Sequence, residues 1–114
     1  MRSWYGRLTD RSLMQAAPAS CSITDQASWE KLWRAWRPEE PVPPVDFAHE
    51  LVLVGTTEGP NSLKLQPQRS DGGDLRVLVQ STLIADDDQT FGYGIEVFPR
   101  AGVRSVNGQA LGGN

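Results

Sequence analysis

The sequence predicts an α+β domain with a mainly antiparallel β-sheet of about five strands and one amphipathic helix packed on one face of it. Two observations lead to this prediction: one early segment has the apolar spacing of a helix, and several later segments alternate like strands. Helical and strand patterns do not alternate along the chain, which favours α+β over a parallel α/β sheet. The 114 residues suffice for one domain, in which we expect residues 1–11 and 112–114 to be loosely ordered.

The N-terminal segment gives only a weak signal. Residues 1–22 show no clear apolar period, and residues 12–17 are the part most able to form a short strand. Pro18 would end that strand, because proline lacks the N–H that a strand ladder needs.

Residues 25–37 carry the clearest signal, which is that of an amphipathic helix. Four large apolar residues recur at i, i+3, i+4 and i+7, namely Trp29, Leu32, Trp33 and Trp36. This spacing places them on one helical face. Thr24 or Asp25 can cap the start, and Pro38 ends the helix because the residue before a proline avoids the α region. We therefore expect the first three of the four to be core residues that seal one face of the sheet.

A proline-rich connector and a central strand follow the helix. Residues 38–45 hold four prolines, which predicts a stiff, extended strap with few backbone donors. Asp46 can then accept hydrogen bonds from amides two or three residues on and so fix how Phe47 enters the core. Residues 49–57 form the strand, in which residues 51–54 are apolar on both faces, as in a strand covered on each side.

Two hairpins are predicted later in the chain. Residues 63–66 and 75–79 alternate apolar and polar side chains around the polar turn at residues 70–74, which indicates antiparallel pairing. A smaller hairpin is predicted at residues 103–111, because Asn107-Gly108 is a pair that type I′ turns favour.

The strand predicted at residues 91–97 has glycines on one of its faces. Its large apolar residues face one way, whereas Gly92 and Gly94 face the other. Glycines on one face permit a close approach by the helix or by another protein chain. A polar loop at residues 86–89 precedes this strand.

Five residues are candidates for a protein interface. They are Trp4, Tyr5, Trp36, Gly92 and Gly94. The three aromatic residues are those least firmly assigned to the core, and exposed aromatic rings are common anchors of interfaces. Packing inside the domain is the alternative for all five.

Composition argues against several classes of protein. The net charge is −3, so the chain has no net basic field with which to neutralise nucleic-acid phosphates. Cys21 and His49 are single residues of their types, too few for a zinc site built from cysteine and histidine, and we expect no cofactor. No stretch approaches the ~20 apolar residues of a membrane span. The N-terminal segment also lacks a signal-peptide pattern.

Two functions remain open for a chain of this composition. The first is a nonenzymatic module that binds another protein, which the scarcity of catalytic residue types favours. The alternative is a small hydrolase or ligand-binding protein that uses His49 with nearby carboxylates, namely Glu50 and Asp86, Asp87 and Asp88. That alternative requires these groups to converge in one concave pocket beside a nucleophile.

Several motifs between residues 23 and 100 resemble those of a known family. They are Trp29-x-x-Leu32-Trp33, the proline-rich strap, Val45-Asp46-Phe47, and residues 51–54 followed by Gly55. This order is similar to that of the C-terminal domain family of the protease-complex accessory subunit PrcB, found in many uncharacterised bacterial proteins. The resemblance implies a noncatalytic role in assembling or stabilising a partner, often outside the cytoplasm, with no catalytic residues to carry over.

Overall fold

The computed structural model describes residues 2–18, 21–58, 63–82 and 90–110, and within them eight strands form two four-stranded sheets. In chain order the strands are β1 (Ser3–Leu8), β2 (Ser22–Ile23), β3 (Glu50–Glu58), β4 (Leu63–Arg69), β5 (Asp74–Ser81), β6 (Phe91–Pro99), β7 (Ser105–Val106) and β8 (Gln109–Ala110). A 3-10 helix spans Arg11–Ala16, and the α-helix α1 spans Gln26–Trp36. The first sheet has the order β1-β6-β3-β2 and the second has the order β4-β5-β7-β8.

The predicted α+β class, with mainly antiparallel strands and one α-helix, is confirmed, but the strands divide into two sheets. Paired strands are antiparallel except β5 and β7, which run in parallel. The second sheet is needed because β3 is apolar on both faces, and each face must be covered. Val52 and Val54 pack with the residues of α1, whereas Leu51 and Leu53 pack with those of the second sheet. One sheet with one helix would have left a face of β3 in water.

Two hydrophobic clusters therefore lie on opposite sides of β3. The helix core consists of Ile23, Trp29, Leu32, Trp33, Trp36, Val52, Val54, Phe91, Tyr93 and Ile95. The sheet core consists of Leu51, Leu53, Leu65, Leu75, Val77, Val103 and Val106. The helix core contains all the buried indoles of the described residues and is the larger of the two.

The helix predicted at residues 25–37 is confirmed as an α-helix between two caps. Asp25 Oδ2 accepts a hydrogen bond from Ser28 N at 2.9 Å, which satisfies one of the free N–H groups at the start. At the end, Arg37 leaves the helical conformation while its N–H still donates to Trp33 O. All four apolar residues of the predicted face are buried.

The three indoles of α1 attach other segments to the helix core. Each indole N–H donates to a backbone carbonyl: Trp29 to Pro43 O (2.9 Å), Trp33 to Glu40 O (3.1 Å) and Trp36 to Leu13 O (2.8 Å). Buried N–H groups need such acceptors, and two of these carbonyls belong to the proline-rich strap. The strap is thus fixed by hydrogen bonds as well as by apolar contact.

The N-terminal segment corrects two expectations. Residues 1–11 were expected to be loose, whereas β1 pairs with β6 from Ser3↔Glu96 to Leu8↔Phe91. The strand expected at residues 12–17 is a 3-10 helix, at whose start Asp10 Oδ1 accepts from Ser12 N. Strand β1 is stabilised by an edge of β6 far along the sequence, and local patterns do not report such pairing. The 3-10 helix begins instead at a local cap, Asp10.

The two predicted hairpins are present in the second sheet. Strands β4 and β5 pair from Leu63↔Ser81 to Arg69↔Leu75. Strands β7 and β8 meet at a turn in which Asn107 (φ 51°) and Gly108 (φ 83°) are left-handed, as a type I′ turn requires. The loop predicted at residues 86–89 and the C-terminal residues 112–114 lie outside the described residues.

Candidate functional site

The two sheets approach each other closely over a pair of glycines. Gly55 of β3 is paired with Gly94 of β6. A Cβ atom on Gly55 would lie 2.5 Å from Leu65 Cδ2 and 2.8 Å from Val79 Cγ2. Such distances are shorter than real contacts, so no side chain fits at this position without displacement.

Gly94 supports an aromatic ring in the same way. A Cβ atom there would lie 2.6 Å from Tyr5 Cε2 and 3.1 Å from Leu63 Cδ1. The close approach predicted for this face is therefore made within the chain. It comes from β1 and from the second sheet, and not from the helix, because α1 covers the opposite face of β6.

An exposed apolar cluster stands over these glycines. The structure exposes three large hydrophobic side chains among the described residues, namely Tyr5 (41%), Leu78 (44%) and Val79 (36%). Tyr5 and Val79 flank the half-buried Leu63, whose Cδ1 would lie within 4 Å of a Cβ atom on either glycine. We call Tyr5, Leu63 and Val79, with Gly55 and Gly94 beneath them, the glycine rim.

Tyr5 is held in place by hydrogen bonds to both sheets. Its hydroxyl donates to Glu96 Oε2 and accepts from Leu65 N at 3.2 Å. Partial burial is the main cause that raises the pKa of the Tyr5 phenol, and the bond to Glu96 raises it further. The phenol therefore stays protonated and able to donate at neutral pH, so the exposed ring has one fixed orientation.

The two long strands of the second sheet differ in how their edges are covered. On β4, the edge N–H of Leu65 is bonded to Tyr5, and Pro67 has no N–H to offer. On β5, β7 pairs only with Asp74 and Leu75, and the Asn107 side chain accepts from Val77 N at 2.9 Å. Beyond that point, no strand of the described chain pairs with β5 on this side. The uncovered end of β5 carries Val79 of the glycine rim.

The five predicted interface residues are thus divided between surface and interior. Tyr5 is exposed in the glycine rim, whereas Gly94 is buried beneath the Tyr5 ring. Trp36 is only 2% exposed, and Gly92 is buried, so neither offers a surface to a partner. Trp4 is half-buried, with its ring 5.2 Å from that of Trp33. Packing inside the domain accounts for these three.

The predicted structural residues after the strap form local contacts. Asp46 Oδ1 accepts from Ala48 N at 3.1 Å, two residues on, as the sequence predicts. Asp46 Oδ2 lies 2.7 Å from His49 Nδ1, and this bond is the main cause that lowers the pKa of Asp46. Phe47 is half-buried and packs against the helix core, to which the predicted structural residues Trp29, Leu32 and Trp33 belong.

The geometry that a His49 hydrolase needs is only partly present. His49 and Glu50 are neighbours at the start of β3, and Glu50 Oε1 lies 3.6 Å from Arg2 Nη2. An open cavity of about 400 Å³ is lined by Arg2, Glu50, Val97 and Pro99, without His49. The His49 side chain is 80% exposed, and the partner that the structure gives it is Asp46. Asp86, Asp87 and Asp88 lie outside the described residues.

The described residues offer little support for a metal site or for a reactive cysteine. Among these residues, no group of three or more histidine, cysteine, aspartate or glutamate side chains is placed to hold a metal ion. Cys21 is half-buried with a φ of 63°, and burial raises the pKa of its thiol. A thiol with a raised pKa is a weak nucleophile at neutral pH.

Sequence reasoning missed Leu63, Val79 and Glu96 as parts of a surface. One signal was available, because Gly55 directly follows the apolar run of β3 and a glycine in a central strand often marks the close approach of another layer. The bond between Tyr5 and Glu96 had no such signal, since it joins residues 91 positions apart.

Comparison of the chain with protein-family models, with curated proteins and with solved structures finds no match in any of the three. Across the described residues, none of the helices has the length and apolar character needed to cross a membrane.

Proposed function

We propose that this protein is a nonenzymatic module that binds another protein through the glycine rim. The observation that supports this function is an apolar cluster at the junction of the two sheets, in which the exposed Tyr5 and Val79 flank the half-buried Leu63. Exposed apolar side chains that are contiguous, rather than scattered singly, are typical of sites where another molecule binds.

The rim has the properties of an interface anchor. Tyrosine is enriched among the residues that dominate binding energy, since it offers a large apolar ring with a polar end. The Tyr5 ring is fixed by Glu96 and Leu65 before any partner arrives, so little conformational entropy is lost on binding. A partner of this protein would thus meet a preformed surface.

The resemblance to the C-terminal domain family of PrcB supports the same kind of role. A domain of that family would assemble or stabilise a partner, and we extend this accessory role to the present chain as part of the proposal. The proposal also places this role in a bacterial protein complex outside the cytoplasm, as the resemblance implies. Nucleic acid is a poor candidate partner, because the net charge of −3 opposes phosphate binding.

Site-specific photo-crosslinking tests this function. A photoreactive phenylalanine analogue replaces Ser81, which is exposed, pairs with Leu63 in the β4–β5 register and lies on the same face of β5 as Val79. The matched control carries the same analogue at Lys31, which is exposed on α1. We expect a discrete protein adduct in an extract of the source organism from position 81 and not from position 31.

A second substitution ties the adduct to the rim. Val79→Asp places a charge in the apolar cluster, and we expect it to abolish the adduct from position 81. If the adduct forms equally from both positions, or survives Val79→Asp in a folded variant, the proposed interface is wrong.

A further inference from the structure

The turn between β7 and β8 contains a chemically labile pair. Asn107 and Gly108 are both exposed and adjacent. In an asparagine followed by glycine, the next peptide nitrogen can attack the side-chain carbonyl carbon, because glycine has no side chain to obstruct the approach. Asparagine is for this reason among the residues that limit the chemical lifetime of proteins.

The fold holds both reacting groups in separate hydrogen bonds. The Asn107 carboxamide is engaged by β5, since its Oδ1 accepts from Val77 N at 2.9 Å. The Gly108 nitrogen donates to Asp74 Oδ1, also at 2.9 Å. Ring closure requires the nitrogen to lose its proton and the carboxamide to turn towards it. Both of these bonds must therefore break first.

Asp74 is well placed to hold the Gly108 nitrogen. Its Oδ1 also accepts from Ser105 Oγ at 2.6 Å, and its Oδ2 lies 3.1 Å from Arg76 Nε. These partners fix the carboxylate and favour its charged form. A negative charge beside the Gly108 N–H opposes the loss of its proton, so charge and geometry act in the same direction.

We propose that Asn107 is a site of spontaneous deamidation that the folded protein protects, with Asp74 as the protecting residue. In the reaction, the Gly108 nitrogen forms a bond to Asn107 Cγ, the Cγ–Nδ2 bond breaks, and ammonia leaves with the proton from the nitrogen. Water then opens the resulting succinimide to aspartate or isoaspartate. No oxidant or cofactor is needed, because water is the only co-reactant.

The modification would loosen the end of the second sheet. Isoaspartate adds one atom to the backbone of a turn whose pairing depends on Asn107 N donating to Leu75 O at 2.8 Å. Val106, next to the turn, is fully buried in the sheet core. The Cys21 thiol is also hydrogen-bonded to Asn107. A longer backbone would move all three contacts out of register.

The rate of modification can be measured on the full chain by mass spectrometry. Trypsin cleavage after Arg104 releases a peptide that begins at Ser105 and contains Asn107, and deamidation changes its mass. We expect the chain unfolded in urea to deamidate at least about tenfold faster than the folded chain, because reaction from the folded state requires local opening. Equal rates in the two states would overturn the proposal without any variant.

A matched pair of variants tests the role of Asp74. Asp74→Ala should speed deamidation of the folded chain by about tenfold, the scale set by losing one hydrogen bond to a charged acceptor. Asp71→Ala removes an exposed acid of the neighbouring turn and should leave the rate unchanged. Asp74→Asn keeps an acceptor without the charge and should give an intermediate rate. A folded Asp74 variant that deamidates at the wild-type rate would contradict the assignment of Asp74.

Discussion

The helix core and the sheet core lie on opposite sides of β3 and are built in different ways. The helix core is closed, with four aromatic side chains from α1 and β6 at most 2% exposed and three indole N–H groups bonded to backbone carbonyls. They are Trp29, Trp33, Trp36 and Phe91. The sheet core is smaller, depends on glycines for close packing, and opens at the glycine rim. The comparison indicates that stability lies mainly on the helix side and that the surface for a partner lies on the other.

The largest expected effect comes from the helix core. Trp33→Ala should lower the free energy of unfolding by about 3–5 kcal/mol, because it leaves a cavity and removes the donor from the Glu40 carbonyl. Leu78→Ala, on the exposed outer face of β5, should change it by less than about 0.5 kcal/mol. Urea denaturation of both variants measures the difference. Similar losses for the two would contradict the account of Trp33 as a closely packed core residue.

The next effect concerns the close approach of the sheets. Gly55→Ala forces a Cβ against Leu65 and Val79 of the second sheet and should cost about 1–3 kcal/mol of unfolding free energy. Gly72→Ala is the control, since its Cβ would meet nothing nearer than 4.0 Å. Thermal unfolding of the two variants compares them. An unchanged midpoint for Gly55→Ala would show that the two sheets do not pack closely over the glycines.

A smaller effect is expected from the hydroxyl that joins the sheets. Tyr5→Phe keeps the ring but leaves Leu65 N without its acceptor and Glu96 without its donor. The loss in unfolding free energy should be about 1 kcal/mol, the usual net value of a hydrogen bond. Chemical denaturation at neutral pH measures it. A Tyr5→Phe variant as stable as the wild type would mean that the bridge contributes nothing.

The smallest effect is a pH dependence from Asp74. Hydrogen bonds from Ser105 and then from Gly108 lower the pKa of Asp74 in the folded chain. A lowered folded pKa contributes stability that is fully present above the unfolded pKa of about 3.9 and is lost as the pH falls through the folded pKa. Unfolding free energy measured from neutral to acidic pH should therefore fall less steeply for Asp74→Asn than for the wild type. Asp71→Asn should keep the wild-type slope, and identical slopes for all three chains would count against this role.

The sequence predicts the helix core better than it predicts the sheet core. The helix side of the core can be predicted from the local spacing of apolar residues, since the apolar face of α1 and its caps lie within residues 25–37. The run at residues 51–54 also indicated that β3 is covered on both faces. The second cover could not be identified, because strand pairing across long stretches of chain leaves no periodic trace.

The candidate site was less accessible to sequence reasoning than the fold. Tyr5 was identified as a candidate by residue type and Gly94 by its place on one face of a predicted strand, whereas Leu63 and Val79 have the same alternating pattern as buried strand residues. Their exposure depends on where the second sheet ends above the paired glycines, which is a property of the tertiary structure. The same holds for Trp36, whose burial depends on its packing against Phe91 and Tyr93.

Native-state hydrogen exchange tests the division of stability most directly. We expect the amides of α1 and of β6 beneath it to exchange only through global unfolding. The amides of β4 and β5 should exchange through local openings that cost at least about 1 kcal/mol less. If the β4 and β5 amides are protected as strongly as those of α1, the two cores are equally stable, which contradicts a division of stability between them.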